Sequence, residues 1–416
     1  MTIKAQSLSL NFKDMLELFR QPESVAFAVL ISLATWASVL APRVMGAVMP
    51  IAAVCAFIGA TRLRQRMRMP AMDNEVWWMW MFTVALIGAS AFWSPDIGYG
   101  LERTAKIASS LAMAIFLFFL AGELSEAHRA RLRYLLVASF IFALWLVAIF
   151  MITRVAQLLP LLGFSEYDAA AVGANRAAVV LAILMWPTVL AALEAGMNRV
   201  ALALPFVTLG AISLTDSQTG LVVIIGGALV FGICRCWPRT GMWLTAIIGV
   251  ALIVLMPFFF QAVCPGITDF NLYWGADAAV GERVEIWCAV TASMSPDWFL
   301  GHGVEAARFG TDWPMAHRYF LGEGILHPHN GALQIWYEYG VTGVLLASAI
   351  WLMVVARIAN LGPQARAICF ATLASIAVVS CISHGLWQSW WLGAVGVVPA
   401  LFRMVAGRVW FSDARS

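Results

Sequence analysis

The sequence predicts an all-α protein that crosses a membrane about twelve times and carries one large, partly helical loop on one side. Three observations lead there. The 416 residues are 62% hydrophobic and only 12% charged, with a mean hydropathy of +0.83, whereas a soluble globular protein carries about 25% charge. The apolar residues fall into runs of membrane length, roughly 17–25 residues each. Lysine and arginine crowd into alternate connections, as retention on one membrane face requires.

In order, spans are expected at 24–41, 44–60, 76–93, 107–122, 134–153, 176–193, 200–215, 219–234, 241–260, 332–356, 366–382 and 388–405. The seventh and eighth are short, which suits a tilted or partly re-entrant segment. The run from Ser24 is followed by eleven more and has no short apolar region ending in a small-residue cleavage site, so it reads as an uncleaved first span. The chain then divides into an N-terminal segment (1–23), nine spans (24–260), a large outer loop (261–330), three spans (331–405) and a C-terminal tail (406–416). It shows no internal repeat, no low-complexity tract, and no Walker or dinucleotide fingerprint.

With the N-terminus inside, 18 of the 26 basic residues fall on inner segments and eight on outer ones: Arg43, Arg103, Lys106, Arg154, Arg176, Arg283, Arg308 and Arg318. This asymmetry places both termini in the cytoplasm. The net charge of +3 then reflects inner-face retention and calls for no nucleic-acid partner. The Arg62–Arg68 cluster is explained by anionic membrane lipids.

One connection is exceptional. Residues 261–330 form an outer loop far longer than the usual limit of about 15 residues for unstructured connections. It is too rich in Phe270, Tyr273, Trp274, Trp287, Trp298, Phe299, Trp313, Tyr319 and Phe320 to be disordered. A second, shorter outer connection covers 154–174. Cys264 and Cys288 are the two cysteines on this side, where a disulfide is permitted if the compartment is oxidising. Cys234 and Cys236 lie inside, where a C-x-C without nearby ligands is a poor metal site. Cys55, Cys369 and Cys381 read as packing residues.

The polar residues of this side are the candidates for chemistry. His327-Pro328-His329-Asn330 opens the tenth span, and Asn330, Gln334 and Glu338 follow at i, i+4 and i+8. On a helix they form a stripe within about 80° of one face. Such a stripe on a helix entering a membrane marks a cavity wall. A His-x-His pair lacks the further ligands that a closed zinc site needs, so no metal and no cofactor are expected. His302 and His317 read as helix caps or partners of loop backbone. In Gly281-Glu282-Arg283-Val284-Glu285-Ile286-Trp287, Arg283 and Trp287 share a helical face. Arg283 is either a phosphate fork or an ion-pair partner of Glu282 or Glu285. Arg176, in Gly173-Ala174-Asn175-Arg176, either binds an anion or reaches to the membrane interface.

The segments GERVEIW (281–287), FLGHGVE (299–305) and HPHNGALQIWYEYGVTG (327–343), in that order around one large outer loop, resemble the O-antigen ligase and O-antigen polymerase superfamily. GANRAA (173–178) and the twelve-span layout add to the likeness. The sequence departs from the pattern at 216–220, where Gln218 stands at a position that is often arginine. The resemblance implies a fold like that of the membrane-embedded GT-C glycosyltransferases, in the bacterial inner membrane. It implies a donor glycan on undecaprenyl diphosphate and, as acceptor, a sugar hydroxyl of lipid A core or, in the polymerases, another lipid-linked glycan. On this reading Arg283 and then Arg176 stabilise the leaving diphosphate, since charge develops there as the anomeric bond breaks. His329 takes the acceptor proton, and Glu338 or Asn330 orients the imidazole or the acceptor. Trp287 stacks on a sugar or packs, and Gln334 and His327 complete the binding surface.

A transporter shares the twelve-span layout. It would place ionisable residues or broken helices near the midplane, and here Asp, Glu, Lys and Arg lie almost wholly at span ends.

Overall fold

The computed structural model describes residues 21–62, 74–153, 171–265, 278–294, 297–310, 313–314 and 324–407. Among the described residues thirteen α-helices follow one another: α1 (Pro22–Leu40), α2 (Met45–Arg62), α3 (Asn74–Ser90), α4 (Ile97–Ala121), α5 (Glu126–Thr153), α6 (Ala171–Glu194), α7 (Asn198–Ser213), α8 (Gln218–Cys236), α9 (Pro238–Val263), α10 (Ala278–Ala292), α11 (Gly331–Ala359), α12 (Pro363–Ile382) and α13 (Ser389–Ala406). No strand occurs among the described residues. Every expected span coincides with a helix, and α10 belongs to the large loop. Eleven of the twelve are long and apolar enough to cross a membrane. The exception is α7: its 16 residues reach about 24 Å at 1.5 Å each, short of a hydrocarbon core about 30 Å thick. The protein is an all-α polytopic membrane protein. The connection 154–170, Arg64–Arg68, His317, Phe270, Tyr273, Trp274, Tyr319 and Phe320 lie outside the described residues.

Local sequence sets the helix starts. Proline opens α1, α9 and α12, where its missing N–H would lack a partner in any case. Asp96, Ser217 and Asn330 cap α4, α8 and α11, each accepting from a backbone N–H three residues on.

At the centre stands α6, whose side chains from Ala178 to Met185 are buried on all sides. A helix apolar all round can sit only inside, and α6 is packed by α1, α5, α7, α8, α12 and α13. Lipid tails are as apolar as leucine, so close packing holds these helices together and small residues allow it. Gly249 of α9 leaves no room for a Cβ beside the Trp351 indole of α11, which donates to the Thr245 carbonyl at 3.1 Å.

One end of the bundle is closed by arginine. The last carbonyls of α13 have no helical partner. Arg129 of α5 donates to Arg403 O at 2.9 Å, and Arg133 donates to Val405 O at 2.9 and 2.7 Å. Both side chains are buried.

The opposite end carries the large α9–α11 connection, and there α11 is interrupted. Gly340 has φ 56 and ψ −150, so Gly331–Tyr339 and Val341–Ala359 are two helical pieces. Only glycine adopts that conformation without strain. The backbone of Trp298–Phe299 fills the break, with Trp298 O accepting from Val341 N at 2.9 Å.

Candidate functional site

Three motifs of the large connection are brought together on the first piece of α11. A disulfide joins Cys264, at the end of α9, to Cys288 of α10, the pair that the sequence permits. Phe260, Ile286, Val290, Met294, Leu333, Trp336 and Tyr337 then form a small core between α9, α10 and α11. The FLGHGVE segment crosses over this core. His302 N and Gly303 N donate to the carbonyls of Tyr337 and Glu338 at 2.8 and 2.9 Å. Gly303, with φ 91, packs on the backbone of Ser90 and Ser94 where a Cβ would collide. Ser94 Oγ then donates to Val304 O at 2.9 Å and Val304 N donates to Ser90 Oγ at 3.2 Å. The loop is thereby stitched to the end of α3.

The stripe on α11 exists, but it serves the neighbouring turn between α12 and α13. Asn330 Oδ1 caps the helix. Gln334 Nε2 donates to Glu338 Oε1 at 2.7 Å, Gln334 Oε1 accepts from Leu386 N at 2.8 Å, and Trp387 Nε1 donates to Glu338 Oε2 at 2.6 Å. The buried amide and carboxylate are therefore satisfied by one another and by residues 386–387. Neither Asn330 nor Glu338 orients the imidazole of His329; a backbone carbonyl does so.

His329 has φ 55, a left-handed conformation uncommon outside glycine. Its Nδ1 lies 2.7 Å from the Ser383 carbonyl oxygen. A carbonyl can only accept, so Nδ1 carries the proton and Nε2 keeps its lone pair. Burial holds the imidazole below its usual pKa, and the Arg283 charge adds to that, while the Ser383 bond and Glu282 oppose it. At neutral pH His329 is a neutral ring with a free base nitrogen.

His327, whose ring centroid is 4.3 Å from that of His329, has its tautomer set by a chain of donors. Trp390 Nε1 can only donate, and it donates to Gln388 Oε1 at 2.7 Å. The Gln388 amide therefore turns its Nε2 to His327 Nε2, 3.0 Å away, which accepts. Burial first, then His329, Arg308 and Arg176, lowers the His327 pKa to about 3. His384 is also buried, and burial, then His329 and Arg176, hold it well below the ordinary histidine range. Three neutral histidines thus cluster beside several arginines, and no group of side chains with metal-binding geometry occurs among the described residues.

Beside them opens a cavity of about 280 Å³ lined by Arg43 from the α1–α2 turn, Arg103 of α4, Arg176 of α6, Glu305 and Arg308 of the large connection, His327, Gln334 of α11, and the 385–390 segment. Among the described residues four guanidiniums face one carboxylate, and with His327 neutral these groups carry a net charge of +3. Glu305 is buried, with Oε1 3.5 Å from Arg103 Nε and Oε2 3.5 Å from Arg308 Nε. Arg103 also donates from Nε to the Tyr99 hydroxyl at 2.8 Å. The Arg176 guanidinium lies 5.6 Å over the Trp390 ring, a cation–π distance.

Of the residues singled out in the sequence, His327, Gln334 and Arg176 line this cavity, whereas His329, Arg283, Glu338, Asn330 and Trp287 do not. Arg283 is half-buried on α10 and acts electrostatically on His329 and His384. Trp287 packs on Phe260, with ring centroids 5.1 Å apart. Gln218 is exposed at the first turn of α8 and is not part of the wall. His302 stacks on Tyr337 at 4.4 Å and bonds the Ser293 carbonyl at 3.1 Å, a structural role.

Residues 202–348 match the family of O-antigen ligases. This stretch runs from α7 through the large connection to the middle of α11 and carries all three outer-loop motifs. In this stretch the chain is similar to the O-antigen ligases. Two rickettsial proteins, each named "Putative polysaccharide ligase", are similar over a longer stretch. The one from Rickettsia conorii is 25% identical over 237 residues, 56% of this chain and 57% of its own length. The one from Rickettsia felis is 24% identical over 246 residues, 56% of this chain and 58% of its own length. The chain thus spans a little over half the length of these curated relatives.

The cavity extends beyond the ligase segment. Glu305, Arg308, His327 and Gln334 come from inside it, and Arg43, Arg103, Arg176 and Gly385–Trp390 from outside. Sequence reasoning left Arg43, Arg103 and Arg308 unassigned. Their signal is nevertheless present: each is a basic residue on the side where the charge rule disfavours one, and such a residue needs another reason to be there. Glu305 was visible inside FLGHGVE but had no partner until the fold supplied Arg103 and Arg308.

Proposed function

We propose that the protein is a membrane glycosyltransferase of the O-antigen ligase type, moving a glycan from undecaprenyl diphosphate to a sugar hydroxyl of lipid A core. The observation that carries this reading is the cavity with four arginines against one carboxylate, opening beside a neutral histidine. Its volume of about 280 Å³ falls just below the usual range of ligand sites, roughly 300–1,000 Å³. That suits a diphosphate and an adjoining sugar, with the rest of the glycan outside.

In the reaction, the acceptor hydroxyl oxygen bonds to the anomeric carbon and the bond from that carbon to the diphosphate oxygen breaks. The diphosphate leaves with the electron pair, and the hydroxyl proton passes to His329 Nε2. Guanidiniums fixed beforehand around the departing diphosphate stabilise the charge as it develops. Arg176 takes first place in that task, with Arg43, Arg103 and Arg308 beside it. Arg283, expected from the sequence to stabilise the diphosphate first, lies outside the cavity wall, and its charge instead helps to hold His329 neutral. Glu338 and Gln334 hold the 386–387 turn against α11.

The site would face the periplasm of the inner membrane, with both termini cytoplasmic. The Cys264–Cys288 disulfide, which persists in oxidising compartments, supports that orientation. The break in α11 does not favour transport, because it lies nine residues from the start of the helix and not near a midplane.

The test is a deletion strain whose envelope glycolipids are separated by size and carrier. Long chains stranded on undecaprenyl diphosphate beside bare lipid A core are the expected result. Lipid-linked single repeats instead would make the protein the polymerase that joins them. An unchanged glycolipid profile would overturn the proposal.

A further inference from the structure

Glu305 is the one carboxylate among the described residues of the cavity wall, and its surroundings are over-determined. It adopts φ 58, which a glutamate resists and which persists only where neighbours force it. They do so from both sides. Val304 is clamped to Ser90 and Ser94 of α3, and the Glu305 carbonyl accepts from Arg308 N at 3.1 Å, opening a short 3-10 turn. The side chain so placed is buried and spans two guanidiniums contributed by distant parts of the chain, Arg103 of α4 and Arg308 of the large connection. A carboxylate in a cavity suited to anions weakens anion binding by simple Coulomb repulsion, so its presence calls for a benefit of another kind. Without it, two like charges would lie side by side and push apart.

We propose that Glu305 is a positioning residue that sets the Arg103–Arg308 pair in the geometry needed to hold the substrate diphosphate. This rests on the reading of the cavity as a diphosphate site. One carboxylate oxygen lies 3.5 Å from each arginine, so the carboxylate stands between the two guanidiniums as a shared counter-charge that holds them side by side. Arg103 is steadied further by Tyr99, whose hydroxyl accepts from it and whose ring lies 4.9 Å under its guanidinium. Displacing a positioned group by about 1 Å can cost on the order of 100-fold in rate.

Two substitutions separate positioning from charge and from backbone strain. Glu305→Asp keeps the charge and tolerates the left-handed backbone better, but draws the carboxylate back by one methylene. Glu305→Gln keeps the reach and removes the charge. The readouts are affinity of the purified protein for inorganic pyrophosphate, followed by calorimetry, and glycan transfer by the same preparation. Positioning predicts that both variants fold, bind pyrophosphate at least threefold more weakly, and lose at least tenfold in transfer. It also predicts that adding Arg103→Gln to Glu305→Gln costs less than twofold more.

A carboxylate that only dilutes the positive charge would give the opposite sign, with tighter pyrophosphate binding in Glu305→Gln and no change in Glu305→Asp. Either of those results, or an Asp variant as active as the wild type, overturns the proposal. Failure of the wild-type protein to bind pyrophosphate would instead refute the cavity assignment and this proposal with it.

Discussion

The two ends of the helical bundle use the same residue for opposite ends. At one, Arg129 and Arg133 are buried and donate to the last carbonyls of α13, with further bonds to Gly122 O, Leu124 O and the Glu126 carboxylate. At the other, Arg43, Arg103, Arg176 and Arg308 border open space of about 280 Å³. Arginine is thus a cap where its partners are backbone oxygens of the chain and, on the proposed function, a binding group where the wall leaves room for oxygens brought from outside. The difference teaches that the count of arginines at a membrane boundary says little, while the identity of what each one faces says a great deal.

That contrast can be broken by experiment. The largest effect is expected from Arg176→Ala, which should lower transfer by more than 100-fold with little change in melting temperature. Arg176→Lys should restore little, because an ammonium cannot make the forked contact with phosphate oxygens. Arg129→Ala should do the reverse, costing about 1–3 kcal/mol for each buried carbonyl left unmade while the folded fraction keeps its specific activity. Thermal melts and transfer assays on both variants check this, and exchanged phenotypes would erase the distinction.

A second test concerns the base. His329→Ala should lower turnover by about 10²–10⁴ while pyrophosphate affinity survives; lost affinity with intact turnover would make His329 a binding group. Because its folded pKa is lowered, His329 is deprotonated through neutral pH, and the acid limb of the rate profile should fall below the ordinary value of about 6.5. Arg283 contributes to that lowering, so Arg283→Gln should move the limb to higher pH. The smallest effect should come from His327→Ala, whose Nε2 is occupied by Gln388: a loss in transfer of less than tenfold.

The helices and the stripe on α11 were legible because they depend on neighbours in the sequence. Asn330, Gln334 and Glu338 announce a polar face by spacing alone. What that face touches did not follow, because Leu386 and Trp387 lie about 50 residues away and a single sequence gives no pairing. The same holds for the cavity. Arg43, Arg103, Arg176 and Arg308 come from two connections and two helices far apart in the chain, and each looks like an ordinary interfacial arginine until the helices bring them together. The break in α11 was half visible: glycine at 340 and 343 weakens a helix, yet the apolar run continues through both. Only the carbonyl of Trp298, from a distant loop, fixes the position of the interruption.

The interruption at Gly340 also bears on how a lipid carrier would reach the site. The second piece of α11, Val341–Ala359, has 19 residues and spans about 28 Å, nearly the whole hydrocarbon thickness of about 30 Å. On the proposed orientation the first piece, which bears Gln334, would stand above the acyl chains in the headgroup layer. A polyprenyl anchor could keep its tail at its normal depth and offer its diphosphate sideways at the water boundary. The charged group would never have to be dragged into oil, and the enzyme would meet its donor where the bilayer already displays it.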